Sequence, residues 1–229
     1  MTDYNENEEF ELSDYNPAWA QNFYIEADQI AEALGEQVVE VKHVGSTSIP
    51  GLRAKPIIDI LVAVEEFASL ESYEKQLESL GYFHHPHDAE DERLFFWKGT
   101  PRTHHLHIVE FMTWEHQRHI IFRDYLRAHP EMAELYEQVK RELSLTFKGN
   151  RPAYTKGKTA FIKTIMARAV EEIVDPSLRR LVNAAAKEEQ AQRAMAHAQE
   201  QAAQATKSEQ PDQPESPDQQ DDPVPDDIT

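Results

Sequence analysis

His43-Val44-Gly45-Ser46-Thr47-Ser48-Ile49-Pro50-Gly51-Leu52, followed after two residues by Lys55-Pro56-Ile57-Ile58-Asp59-Ile60-Leu61-Val62, is the stretch that decides the fold. An apolar segment runs into a small, hydroxyl-rich turn. A basic residue follows, and a second apolar segment then carries one lone acid. Small residues let backbone N–H groups approach a phosphate closely. A carboxylate among Ile57, Ile58, Ile60, Leu61 and Val62 is costly unless a metal or a hydrogen-bond partner holds it. The two features together point to a nucleotide-phosphate site. The turn is not a Walker loop, because the Gly-Lys-Ser/Thr ending is missing.

Working outward, 38–44 and 57–64 read as strands, the second fully buried. Strand alternation puts Asp59 and Leu61 on one face. Asp59 suits Mg²⁺, which takes one or two carboxylates together with phosphate oxygens; a carboxylate satisfied by nearby backbone or by Lys55 is the alternative. A helix is expected over 17–34, capped by Asn16 and stopped by Gly35, with Trp19, Phe23, Ile30 and Leu34 inward. A second helix, 69–80, buries Leu70, Tyr73, Leu77 and Leu80. Strands follow at 82–84, 94–98 and 104–111, the last two joined by Gly99-Thr100-Pro101-Arg102. Helices then cover 114–128, a segment opened by Pro130 with Met132, Leu135, Tyr136, Val139 and Leu143 inward, and, after an Asn150-Arg151-Pro152 break, 156–174. The order implies a mixed α/β (α+β) fold: one sheet with flanking helices and a C-terminal helical portion.

Alternation also places His105 and His107 on one strand face and Leu106, Ile108 and Glu110 on the other. Two imidazoles spaced in this way can ligate a metal, contact phosphate or shuttle protons, although a strand histidine is more often structural. No His-Glu-x-x-His pattern exists, which argues against a zinc protease. Gly45, Ser46 and Ser48 are candidate phosphate donors, with His43 and Thr47 in the same turn. Lys55, Arg123, Lys140 and Lys158 are candidate clamps for a triphosphate, and Tyr154 can stack on a base.

The net charge of −19 is concentrated at the ends: residues 1–14 carry −6 and residues 206–229 carry −7. The part between is only mildly acidic, so a local basic pocket is compatible with it, and the acidic ends make nucleic acid an improbable partner. Cysteine is absent, which removes disulfides and thiolate metal sites. The acidic N-terminus lacks the basic and apolar regions of a signal peptide, and no apolar run is long enough to span a bilayer; a cytoplasmic location is expected. The organisation reads as an acidic mobile N-terminus (1–14), one folded domain (15–180), an Ala/Gln/Glu-rich solvated helix (181–205) and a disordered acidic, Pro-rich tail (206–229).

The quoted stretch, together with His104-His105-Leu106-His107, Phe122-Arg123-Asp124-Tyr125-Leu126-Arg127 and Tyr154-Thr155 with Lys158, resembles the GrpB family, a group within the nucleotidyltransferase superfamily. The similarity spans roughly 15–174. The resemblance implies a mixed sheet with flanking helices, a Gly-Ser turn, two acids separated by one residue on the next strand and a third acid on another strand. Those acids hold two divalent metals. Gly45 and Ser46 match the turn and Asp59 the first acid, while Leu61 stands in the second acid's place.

Two function classes follow. As an enzyme, the protein transfers a nucleoside monophosphate from an NTP to a hydroxyl acceptor. Asp59, His105 and His107 are then catalytic, Asp59 and His107 hold Mg²⁺ (or Mn²⁺), and Lys140 and Lys158 stabilise the leaving pyrophosphate. As a binding module, the site retains a nucleotide or another phosphorylated small molecule without transfer, because Leu61 removes a metal ligand. A weaker third possibility is a protein-interaction role, with the acidic tail recruiting a basic partner.

Overall fold

The alternation read in 57–64 is realised in the central part of a five-stranded sheet. The computed structural model describes residues 11–86 and 92–172, together with Ala184, Lys187 and Ala191. The elements, in order, are α1 (Ala18–Leu34), β1 (Val38–Val44), β2 (Ile58–Val64), α2 (Leu70–Glu78), β3 (Tyr82–His84), β4 (Arg93–Lys98), β5 (His104–Glu110), α3 (Trp114–Ala128), α4 (Pro130–Thr146), α5 (Arg151–Gly157) and α6 (Thr159–Glu172). The sheet order is β1-β2-β5-β4-β3. The β2–β5 pair is parallel and the other pairs are antiparallel, so the sheet is mixed.

Local chemistry sets the ends of the elements. Asn16 Oδ1 accepts from the Ala18 amide at 3.0 Å. At the other end of α1, Gly35 adopts φ +61° and its amide donates to the Ala31 carbonyl. Ser69 caps α2 by accepting from the Ser72 amide at 3.3 Å. The register of the parallel pair sets Asp59 opposite His105 and Leu61 opposite His107.

Alternate residues of these strands face two different environments. Ile58, Ile60, Val62, Val64, Phe96, Leu106 and Ile108 pack with Phe23, Ile30 and Leu34 of α1 and with Tyr73 and Leu77 of α2. On the opposite face, Leu61, Ala63 and Val109 pack with Val44, Phe111 and Ile120. A separate cluster ties Ile49 and Leu52 to Ile121, Tyr125 and Leu126 of α3, Tyr136 of α4, and Ile165 and Ala169 of α6.

The C-terminal helices differ from the sequence expectation in three places, the first being that the span read as one helix, 156–174, is divided at Lys158 between α5 and α6. Asn150-Arg151-Pro152 is not a break but the start of α5. Asn150 Oδ1 accepts from the Ala153 amide at 3.0 Å, and Pro152 sits in the first turn, where its missing N–H leaves no helical bond unmade. In α4, Leu135 is exposed, whereas Tyr136 and Lys140, one turn apart, are buried.

Ser13 pairs with Ala54, and Asp14 receives Arg53, so the chain just before α1 is tied to the loop that follows the turn. Of the segments read as an acidic N-terminus, a solvated helix and an acidic tail, residues 1–10 and nearly all of 181–229 lie outside the described residues. The chain divides into two units, Met1–Val182 and Asn183–Thr229. In the second, Ala184, Lys187 and Ala191 are helical. No helix among the described residues is long and apolar enough to cross a membrane.

Candidate functional site

Where β1 ends and β2 and β5 begin, the turn and the acid meet. Gly45 has φ +67°, and a Cβ placed on it would lie 2.1 Å from Asp59 Oδ2. Only glycine suits this position, both for its backbone and for the close approach of the carboxylate. The next three residues, Ser46–Ser48, form a 3₁₀ turn.

Most of the polar side chains around the turn hold it in place. Ser48 Oγ donates to the Gly45 carbonyl at 2.6 Å. Thr47 Oγ1 donates to the Ile57 carbonyl at 3.3 Å. It lies 3.0 Å from His43 Nε2, which therefore donates to it. The His43 ring stacks on Phe23 at 4.8 Å. Burial, reinforced by Arg127 and Arg123 and opposed by Asp59, lowers the His43 pKa to about 4. Arg123 donates to the His43 carbonyl at 3.0 Å and grips Asp124 through Nε and Nη2 at 2.7 and 3.0 Å. Arg127 donates twice to the Ser48 carbonyl, at 3.0 and 2.6 Å. His43, Ser48 and Arg123 are thus spent on the turn's architecture and do not line the cavity beside it, whereas Ser46 and Thr47 do.

That cavity has a volume of about 300 Å³ and is built from the turn, one sheet face, α4 and α5. Among the described residues its basic side chains are Lys55, Arg93, Lys140, Arg151 and Lys158, and its one acid is Asp59. The Lys55 and Lys158 ammonium groups lie over the Tyr154 ring, 4.1 and 4.9 Å from its centroid. Lys140, almost wholly buried, donates to the Arg53 carbonyl and faces the Tyr136 ring at 4.9 Å. The crowding of cations has a clear electrostatic signature. Burial first, then Arg151, Lys158 and Arg102, pull the Lys55 pKa down to about 6 against the attraction of Asp59. Burial and Lys158 pull Lys140 down to about 7. Lys158 is lowered by burial and Arg151, again against Asp59.

Asp59 Oδ1 lies 2.9 Å from His105 Nδ1. Burial alone would raise the Asp59 pKa, but the His105 hydrogen bond and the charges of His105, Lys158 and His119 hold it below the usual carboxylate value. His105 Nε2 sits 3.4 Å from Arg151 Nη2. His107 shares this face, with its ring 5.2 Å from those of Phe95 and His119. Its Nδ1 is buried with no hydrogen-bond partner among the described residues. Burial, then Arg93 and His119, hold the His107 pKa well below its ordinary value.

The donor set does not fit a two-metal centre. Leu61 is buried in an apolar cluster where the second acid would stand. Glu110 lies on the other face and accepts from the Phe67 amide at 3.3 Å. Among the described residues no three His, Asp or Glu side chains gather as metal ligands. Asp59, the single carboxylate there among the described residues, is engaged by His105 on one oxygen and packed against Gly45 on the other. A divalent cation there would also meet the repulsion of the surrounding lysines and arginines.

The structure therefore brings together Gly45, Ser46, Thr47, Lys55, Asp59, His105, His107, Lys140, Tyr154 and Lys158, but not His43, Ser48 or Arg123. Tyr154, expected to stack on a base, is buried and has the Lys55 and Lys158 side-chain nitrogens over its ring. Sequence reasoning missed Arg151, because the segment read as a break is a helix start. The signal was present: an Asn cap with proline in the first turn marks a helix N-terminus.

Comparison with known proteins places these features in a family. A family model described as GrpB protein matches residues 9–168. A UPF0157 protein of Pseudomonas aeruginosa is 37% identical over 178 residues, which cover 76% of this chain and 73% of the relative. The glutamate-rich protein GrpB of Alkalihalophilus pseudofirmus is 35% identical over 161 residues, 68% of this chain and 92% of the relative. Among solved structures, the conserved protein GrpB from Enterococcus faecalis matches with a TM-score of 0.66 at 37% identity, over 71% of this chain and 98% of that one.

Proposed function

The chain belongs to the GrpB family, and from that premise we propose that it binds a compact phosphorylated small molecule in the cavity beside the Gly45–Asp59 contact. The observation that carries this reading is charge. A chain of net charge −19 gathers Lys55, Arg93, Lys140, Arg151 and Lys158 around Asp59, the one carboxylate of the cavity among the described residues. Burial first, and then the repulsion between neighbouring cations, depress the lysine pKa values when no anion is bound. A phosphate removes the penalty and is held by charge-assisted hydrogen bonds, with Arg151 able to bind two oxygens at once. Size supports a compact ligand: about 300 Å³ is at the small end of ligand cavities.

This choice sets aside nucleotidyl transfer from an NTP, because the metal ligands that reaction needs are not assembled. A thermal-shift panel in EDTA tests it, with sulfate, phosphate, glycerol 3-phosphate and each NTP as probes. A ligand that binds only the folded state raises Tm by mass action. The expected result is a metal-independent shift with the small anions, lost in Lys158→Met and Arg151→Met. A shift that appears only with an NTP and added Mg²⁺, and that Asp59→Ala abolishes, would reverse the choice in favour of transfer.

A further inference from the structure

We infer that Asp59 and His105 form a proton-accepting dyad that makes this cavity a metal-independent phosphomonoester hydrolase site. The inference rests on the anion-binding reading above and goes beyond it, from holding a phosphate to cleaving its ester bond.

The argument is geometric. Asp59 and His105 are directly opposed in the register of β2 and β5, so backbone pairing fixes their separation. Asp59 Oδ2 sits close against Gly45, where a Cβ would lie 2.1 Å from it, which narrows the room the carboxylate has to turn. An ionised carboxylate only accepts, so the 2.9 Å contact places a proton on His105 Nδ1. Nε2 of the neutral ring then carries the lone pair. Its neighbour is Arg151 Nη2 at 3.4 Å, a group that can only donate; in the proposed step Arg151 turns to the bound phosphate and leaves this lone pair to the attacking water. The Phe95 ring meets the imidazole at 5.2 Å and 66° and fixes its tilt. A carboxylate that orients a histidine, whose second nitrogen faces a site, is the arrangement of an activated general base. The surrounding cations meet the charge that develops on the phosphoryl oxygens.

The step balances with water as the only co-reactant. A water O–H bond breaks and its proton goes to His105 Nε2 while the oxygen forms a bond to phosphorus. The P–O ester bond breaks, its electron pair leaves on the alcohol oxygen, and that oxygen takes a proton from the Lys158 ammonium. The products are the alcohol and inorganic phosphate, and His105 and Lys158 return to their starting states by proton exchange with solvent. Asp59 stays ionised throughout and is a positioning residue. His107, with its unpartnered Nδ1 buried against His119, takes no part.

The test uses the full chain, treated with EDTA, acting on p-nitrophenyl phosphate and glycerol 3-phosphate. A sulfate-induced thermal shift is measured in parallel. His105→Asn keeps a donor for Asp59 and removes the base. EDTA-resistant turnover is expected in the wild type, reduced at least ~100-fold in His105→Asn, with the sulfate shift retained in both. Asp59→Asn is expected to lower turnover and to move the acidic limb of the pH profile to lower pH, since Asp59 raises the affinity of His105 for its proton. A wild type that binds sulfate but turns over no faster than His105→Asn, or only with added Mg²⁺, overturns the dyad and leaves the binding reading standing. Absence of any sulfate shift overturns both.

Discussion

The two faces of β2 and β5 are made from alternate residues of the same strands, yet they do opposite things. Ile58, Ile60, Val62, Leu106 and Ile108 enter a dry core under α1 and α2. Asp59 and His105, interleaved among them, pair with each other and line a cationic cavity. The first face lowers the free energy of the fold by removing apolar area from water. The second is apolar at Leu61, Ala63 and Val109, and at Asp59, His105 and His107 it faces basic side chains brought by other elements, whose crowding costs stability. The two-residue period of the pleat thus keeps the carboxylate and the imidazoles of this strand pair out of the core under α1 and α2.

That contrast is broken most severely by Ile60→Ala. Ile60 is fully buried, and truncation is expected to cost about 2–5 kcal/mol in a urea titration, while the folded fraction still binds sulfate. Gly45→Ala strikes the boundary between the faces. The positive φ and the Cβ placed 2.1 Å from Asp59 Oδ2 should cost about 1–3 kcal/mol, and the displaced carboxylate should lose His105; a lowered Tm with an altered His105 NMR signal checks this. Lys55→Met acts in the opposite sense to Ile60→Ala. At pH 6 the ligand-free protein should melt no lower than the wild type, because a repelled cation has been removed, while sulfate affinity falls about tenfold, roughly 1.4 kcal/mol. A clear loss of Tm in this variant would show that the cavity face stabilises the fold as the core face does.

The smallest effect is one of pH. Lys55 titrates near 6 in the folded protein, below its ordinary 10.5. Between these values the unfolded chain holds a proton at Lys55 that the folded one lacks. This group's contribution to ligand-free stability therefore rises with pH through that window and is absent below it. An anion favours the charged lysine, so binding takes up protons, and sulfate affinity should fall as pH rises from 6 to 9. Calorimetry at pH 7.5 in two buffers of different ionisation enthalpy measures the uptake, which should be a fraction of a proton. Proton release on binding would contradict the cationic reading of the cavity.

Much of the core face was legible from sequence because it depends on local repetition. Trp19, Phe23, Ile30 and Leu34 recur at helical spacing and are all buried. The 57–64 run gives a strand one residue shorter at its start. The cavity was legible only in part. Gly45, Asp59, His105 and Lys158 stand out by type and setting, but the same reasoning enlisted Ser48 and Arg123, whose donors are consumed by carbonyls of the turn and by Asp124. Residue type shows that a group can bind phosphate; it does not show which neighbour already occupies it.

The sequence by itself determined the strands and most of the helices, the sharing of one strand face by Asp59 and Leu61 and of another by His105 and His107, and the family. These follow from short-range periodicity, from turn chemistry and from ordered motifs. Tertiary structure alone decided that Asp59 meets a histidine 46 residues away and that Lys140, Arg151 and Lys158 from α4, α5 and the residue after it converge on the same cavity. It also decided that Leu61 enters an apolar cluster where a metal ligand was expected. The physical reason is register. Burial of the alternate apolar residues selects one alignment of β2 on β5, and the polar residues between them are carried into contact by that choice.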